Sequence, residues 1–181
     1  EKRKEIVGVC LDCFVEKGLT ATTTKDLCTA ANLQNGGIYY YFSTKEEIVL
    51  ACAEEAINRI EQGAFGLVLE DISDITRMMD RLGDLADRMS PTMRFLVSVC
   101  VSREYGEKVK PSLIRLASRY PSYTSKIAEI LGCSDEEAEP FVYLSILAIN
   151  NYMIFAERAL FDPQMKAAKK ELLRLDGKNK K

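Results

Sequence analysis

Residues 22–48 read TTTKDLCTAANLQNGGIYYYFSTKEEI, and the helix ends written into this run decide the fold. Thr23 or Thr24 offers a hydroxyl to the unpaired amides of a helix start, and Asp26 in the first turn complements the helix dipole. A two-turn helix to about Ala31 is predicted. Asn32 and Leu33 then form a tight connection, because Asn tolerates left-handed backbone better than most residues. A third short helix is predicted over about 35–41, with Leu33, Ile38 and Phe42 facing inward. Ser43 and Thr44, followed by Glu46 and Glu47, make two overlapping capping boxes that open a fourth, long helix to about Gln62. Two short helices across a tight turn are a helix-turn-helix, the arrangement that seats its second helix in the DNA major groove.

Working outward, Ile6, Val9, Cys10, Cys13 and Phe14 recur at offsets of three and four, so residues 1–17 form an amphipathic helix that Gly18 stops. Further helices are predicted at about 73–89, 92–103, 111–131, 135–160 and 163–175. Pro91, Pro111 and Pro163 are read as first helical residues and Gly132 as a stop. No strand pattern competes, so the fold class is all-α, with about nine helices.

Within the opening run, Asn35, Gly36, Gly37, Tyr39, Tyr40 and Tyr41 are left for the outer surface and the helix ends. Three consecutive tyrosines cannot all be core. Gly36 and Gly37 each cost roughly 1 kcal/mol inside a helix, which suggests that something outside approaches the backbone closely. A phosphate backbone fits: tyrosine hydroxyls and a helix N-terminus are ordinary phosphate partners, and Lys45 adds a cation beside them.

The same run resembles the helix-turn-helix and fourth-helix start of the TetR family, through Tyr39, Phe42, Lys45, Glu46 and Ile48 in a Tyr-x-x-Phe-x-x-Lys-Glu-x-hydrophobic pattern. The resemblance covers about residues 5–50. It implies that Thr24, Tyr39 and Lys45 contact phosphates and that Lys25 reaches phosphate or base. Asn35, Gly36, Gly37 and Tyr41 would present the base-reading surface, with Tyr40 beside them. Asn32 stands where the family's turn commonly has glycine. Because Gly36 and Gly37 leave little side chain for readout, specificity would rest on Asn35, Lys25, the tyrosines, thymine methyl groups or DNA shape.

In outline the remaining two thirds resembles the family's ligand-binding and dimerisation domain. The resemblance implies a helix-turn-helix domain at 1–45, an effector-binding and dimerisation domain at 46–175, and a basic, disordered tail at 176–181. The helices at 135–160 and 163–175 would dimerise, setting two recognition helices about 34–36 Å apart. Met78, Met89, Met93, Cys100, Tyr120, Tyr123, Tyr143 and Asn150 supply the soft, aromatic, polar-tipped lining that a small hydrophobic or aromatic effector would use. The expected function is a bacterial transcriptional repressor, a homodimer released from a palindromic double-stranded DNA operator by a small molecule. The alternative is a helical DNA-binding or scaffold protein with a protein partner and no small-molecule effector.

Composition excludes other classes. With 47% hydrophobic and 29% charged residues the chain is an ordinary globular protein rather than a disordered one. Its net charge of −2 divides unevenly: six Lys or Arg against five Asp or Glu in residues 1–45, 12 against 20 in 46–162, and seven against two in 163–181. Only the ends suit a polyanion. The Cys10-x-x-Cys13 pair lies on an apolar stripe, and with no histidine and no second such pair no metal site is expected. Asp135, Glu136, Glu137 and Glu139 follow Ser134 and read as a helix start. No nucleophile elbow or phosphate loop appears, so no catalytic residue and no cofactor are expected. Six scattered cysteines and the lack of an opening signal-peptide pattern predict a reducing cytoplasm. The most apolar stretch, 141–156, is shorter than the roughly 20 residues a bilayer needs and contains Asn150 and Asn151, so no membrane span is expected.

Overall fold

The structure is a computed structural model that describes residues 1–69 and 75–179, with all their side chains except 65, 67–69, 75–79 and 176–179. Among the described residues the elements are α1 (Lys2–Lys17), α2 (Thr24–Ala30), a 3₁₀ turn (Gly37–Tyr40), α3 (Lys45–Leu69), α4 (Ile75–Cys100), α5 (Gly106–Ala117), α6 (Tyr120–Leu131), α7 (Asp135–Phe155) and α8 (Arg158–Asn179), with no strand. The all-helical class expected from the sequence is observed.

Local chemistry sets most ends. Gly18 closes α1 at φ 88°, its amide donating to the Phe14 carbonyl at 2.8 Å. Thr23 caps α2 in a reciprocal box with Asp26, and Ser134 does the same for α7 with Glu137. Asn32 adopts φ 52° and Gly132 φ 66°, the left-handed conformations that end a helix.

Pro91, Pro111 and Pro163 do not mark helix starts. Pro91 lies inside α4, so the helices expected at 73–89 and 92–103 are one. An interior proline loses a backbone hydrogen bond and crowds the preceding turn, at a cost of about 3 kcal/mol. Here burial on both sides outweighs it: Leu85, Ala86 and Ser90 precede Pro91, and Thr92, Phe95, Leu96 and Val99 follow, all buried. Pro111 and Pro163 sit in the second turns of α5 and α8, each as the sixth residue rather than the first. The helix expected at 111–131 is instead the pair α5 and α6. In turn α7 ends at Phe155, and α8 runs on to Asn179, into the segment expected to be a disordered tail.

Two compact units emerge, Glu1–Ile60 with Pro91–Arg115, and Glu61–Ser90 with Leu116–Lys181. In the first, Ile6, Cys10, Leu11 and Phe14 of α1, Leu27 of α2 and Ile48, Val49, Cys52 and Ile57 of α3 are buried, as are Ile38 and Phe42 around the 3₁₀ turn. Phe14 stacks on Phe95 with ring centroids 5.5 Å apart. Arg59 clasps α1 to α3 by pairing with Asp12 at 2.6 Å and donating to the Gly8 carbonyl at 3.3 Å. In the second unit, α6, α7 and α8 pack through Tyr123, Ile127, Phe141, Tyr152, Phe161 and Leu172. Ser90 donates to the Met153 carbonyl at 2.9 Å, Asp87 accepts from Tyr152 and pairs with Arg158, and Arg158 lies over the Tyr152 ring at 4.8 Å.

The hairpin of α7 and α8 turns on Ala156, whose φ of 50° puts a Cβ-bearing residue in left-handed backbone. That conformation costs an L-residue roughly 1–2 kcal/mol, partly offset by the greater unfolded-state freedom of glycine. Ala156→Gly is therefore expected to raise stability by about 0.5–1 kcal/mol, read as a higher denaturant midpoint at unchanged slope. A lower midpoint would show that Ala156 is unstrained.

Candidate nucleic-acid interface

The helix-turn-helix is built from α2, the connection through Asn32, and the 3₁₀ turn. Asp26 holds its start: Oδ2 accepts from the Thr23 amide at 2.9 Å and the Thr23 hydroxyl at 2.6 Å, while Oδ1 takes Lys17 Nζ at 2.6 Å. These bonds, Lys17 foremost, hold the Asp26 carboxyl far below its usual range. Lys45, at the head of α3, sends Nζ to the Thr22 carbonyl at 2.6 Å. The ammonium thus ties α3 to the segment before α2 and keeps further donors for an outside acceptor.

The recognition segment is shorter than expected. Gly36 takes φ 84° and starts a four-residue 3₁₀ turn, so the helix predicted over 35–41 is confined to Gly37–Tyr40. A Cβ on Gly36 would meet nothing within 4 Å, so backbone conformation rather than space requires glycine there. At Gly37 a Cβ would come within 3.4 Å of Leu33 Cβ, a tight internal contact. The pair serves local geometry as well as any outside approach.

Of the residues expected at the interface, Lys25, Asn35, Gly36, Tyr39 and Tyr40 are exposed, and Thr24, Gly37, Tyr41 and Lys45 are half-buried. Tyr39 is 48% and Tyr40 86% exposed. The Thr24 and Tyr39 hydroxyls lie 3.3 Å apart, linking α2 to the 3₁₀ turn, and the Tyr40 and Tyr41 rings meet edge to face at 5.1 Å. Of the two overlapping boxes expected before α3, Thr44 Oγ1 accepts from the Glu47 amide at 3.1 Å, while the Glu47 carboxylate returns to Ser43 N–H rather than Thr44. Arg3, not singled out by sequence, joins this group: it pairs with Glu47 at 2.8 Å and lies over Phe42 at 4.5 Å. No local signal could find it, since its partners are about 40 positions away.

The residues expected to line an effector pocket fall in both units. Met93 and Cys100 belong to the unit that holds the helix-turn-helix, and Met89, Tyr120, Tyr123, Tyr143 and Asn150 to the other. The Tyr120 and Tyr123 rings approach to 6.4 Å. Tyr143 is 44% exposed on α7, in line with Leu147 at 53%. The Met78 side chain lies outside the described residues. A cleft of about 460 Å³ in the second unit, lined by residues of α4 and α8 such as Asp84, Phe161 and Met165, includes none of them.

Cys10 and Cys13 are buried on α1, as the apolar stripe required, and burial pushes the Cys10 thiol up to about 12. Such thiols pack as small apolar groups. Among the described residues no helix is long and apolar enough to cross a membrane.

This geometry defines a helix-turn-helix protein: a braced, capped first helix, a left-handed turn, and a second segment that presents tyrosines outward. Residues 6–52 match the family described as bacterial regulatory proteins, tetR family. Over 157 residues the chain is 26% identical to the uncharacterized HTH-type transcriptional regulator YfiR of Bacillus subtilis, spanning 82% of this chain and 73% of that protein. Over 84 residues it is 27% identical to the HTH-type transcriptional repressor KstR2 of Mycolicibacterium smegmatis, spanning 46% of this chain but only 39% of that repressor. Its fold is similar to the crystal structure of a transcriptional regulator from Rhodococcus sp. RHA1 (TM-score 0.68, 14% identity, 96% and 95% of the two chains). It is also similar to the multidrug binding protein EbrR complexed with imidazole (TM-score 0.54, 18% identity, 97% and 94%). Residues 6–52 are thus similar to the helix-turn-helix segment of the tetR family, and the longer matches are to proteins named as HTH-type transcriptional regulators.

The Asp26 network carries a pH signature. A carboxyl whose folded pKa is depressed stabilises the fold above its ordinary value, 3.8, and loses that contribution as pH falls below it. Asp26→Asn should therefore lower the melting temperature at pH 7, with the gap to wild type narrowing below about pH 4. A gap independent of pH would show that the carboxylate's charge is not what holds α2.

Proposed function

We propose that the protein is a homodimeric repressor that binds a palindromic double-stranded DNA operator and leaves it when a small molecule binds. The observation that carries the DNA reading is Tyr40, an aromatic side chain left 86% exposed in a capped helix-turn-helix whose Lys25, Asn35 and Tyr39 are exposed as well. Folding gains little from a ring so exposed, whereas a DNA groove offers stacking and phosphate partners. In this reading Thr24, Tyr39 and Lys45 bear on phosphates, Lys25 on phosphate or base, and Asn35, Tyr40 and Tyr41 on base edges. Residues 1–45 carry the contacts, and Gly36 and Gly37 bring the backbone close.

The dimer reading rests on apolar groups that α7 and α8 leave in water: Tyr143, Leu147, Phe155, Leu160 and Leu173, 44–62% exposed. In this reading Tyr143 serves the dimer face rather than a pocket. The effector reading rests on family resemblance and on EbrR, named for multidrug binding; a small hydrophobic or aromatic molecule fits the tyrosines and methionines of residues 46–175. Release requires the effector to favour the DNA-incompetent state over the competent one.

Selection of bound sequences from a random DNA pool, followed by salt titration, tests the DNA reading. An enriched palindrome is expected. Lys25→Ala should weaken binding to all sequences and make the slope of log K against log salt shallower by about 0.9 if Lys25 meets a phosphate, while Asn35→Ala should alter sequence preference. No enrichment and no binding at low salt would sink the reading. Separately, Leu147→Asp is expected to convert a sedimenting dimer to monomer, and an unchanged sedimentation coefficient would remove α7 from the interface.

A further inference from the structure

Arg3 lies in the first turn of α1, outside the stretch matched to the family, yet what its guanidinium touches is the junction between the 3₁₀ turn and α3. Its plane covers the Phe42 ring at 4.5 Å, Nε–H donates to the Tyr41 carbonyl at 3.4 Å, and Nη2 pairs with Glu47 Oε1 at 2.8 Å. The other Glu47 oxygen accepts the Ser43 amide at 2.7 Å. One cation–carboxylate pair therefore grips three consecutive residues, by the carbonyl of 41, the ring of 42 and the amide of 43.

Those residues need an external grip. The 3₁₀ turn ends at Tyr40 and α3 begins at Lys45; between them the Tyr41 and Phe42 amides still reach the Ile38 carbonyl, while the Ser43 amide goes to Glu47. A turn of four residues lies below the length at which helix formation becomes self-sustaining, so tertiary contacts must fix its orientation. As an isolated exposed ion pair, Arg3–Glu47 would stabilise the fold little. Its geometric effect is different: three contacts converge on the segment that aims Tyr39, Tyr40 and Tyr41.

We propose that Arg3 is a positioning residue for DNA recognition, acting through Glu47 and Phe42 to hold residues 41–43, and with them the exposed tyrosines, in the DNA-reading orientation, without itself touching DNA. This rests on the DNA-binding reading above. The competing role is an ordinary cation beside a phosphate, and electrostatics separates the two by sign. Removing a carboxylate strengthens binding to a polyanion when only charge matters. Removing it weakens binding when the carboxylate is half of a clamp.

The experiment measures affinity for the enriched operator over a salt series, well below the melting temperature, for wild type, Arg3→Met, Arg3→Lys, Glu47→Gln and the Arg3→Met/Glu47→Gln double variant. Arg3→Met and Glu47→Gln are each expected to weaken operator binding about tenfold with the salt slope unchanged. The double variant should be no weaker than either single one, because both break one device. Arg3→Lys, which keeps the charge but not the planar fork, should fail to rescue. Tighter binding by Glu47→Gln, a slope shallower by about 0.9 for Arg3→Met, or affinities equal to wild type would overturn the proposal and leave the DNA reading standing. A wild-type protein that binds no DNA overturns both.

Discussion

Burial of Ile38 and Phe42, at 0% and 2% exposure, is the constraint on which the recognition surface depends. They flank three tyrosines in a segment with too few backbone hydrogen bonds to stand alone, so these two side chains fix which way the tyrosines point. Everything around the pair reinforces that anchoring. Lys45 reaches back to the Thr22 carbonyl, Thr24 meets Tyr39, and Arg3 covers Phe42. Thr24 and Arg3 join the segment to α2 and α1, and Lys45 ties the start of α3 to the residues before α2, so the segment's rigidity comes from its neighbours.

What was legible in the sequence is chemistry that acts over three or four residues. Thr23 with Asp26, Ser134 with Glu137, Gly18, Asn32 and Gly132 all place helix ends where their local conformational preferences require. The prolines misled because the same residue is compatible with a helix start and, at a cost, with a helix interior. The choice at Pro91 belongs to Phe95, Leu96 and Leu85, whose burial no local rule reveals. Arg3 was invisible for a related reason: a guanidinium near the chain start announces nothing about a ring at position 42. The interface residues were read from their resistance to burial, and Tyr40 is the clearest case. The expected pocket residues share side-chain chemistry rather than a local pattern, and they fall in both compact units.

The cysteines fit the same account. Cys10, Cys13, Cys28 and Cys52 are buried in the unit that carries the helix-turn-helix, and Cys52 donates to the Val7 carbonyl at 3.6 Å. Burial raises the thiols of Cys10 and Cys52, so thiolate is scarce and their contribution is volume.

The exposure of Asn35 and Tyr40 has a consequence for how such a protein changes over generations. A side chain that stands mostly in water is exchanged at little folding penalty, whereas the buried Ile38 and Phe42 are not. In the proposed DNA reading a lineage can therefore move to a new DNA address by one or two substitutions on the outer surface, while selection for a folded protein acts on the anchors underneath. Operator preference and thermodynamic robustness then drift on separate residues, and gene duplication followed by retargeting meets little resistance from the scaffold.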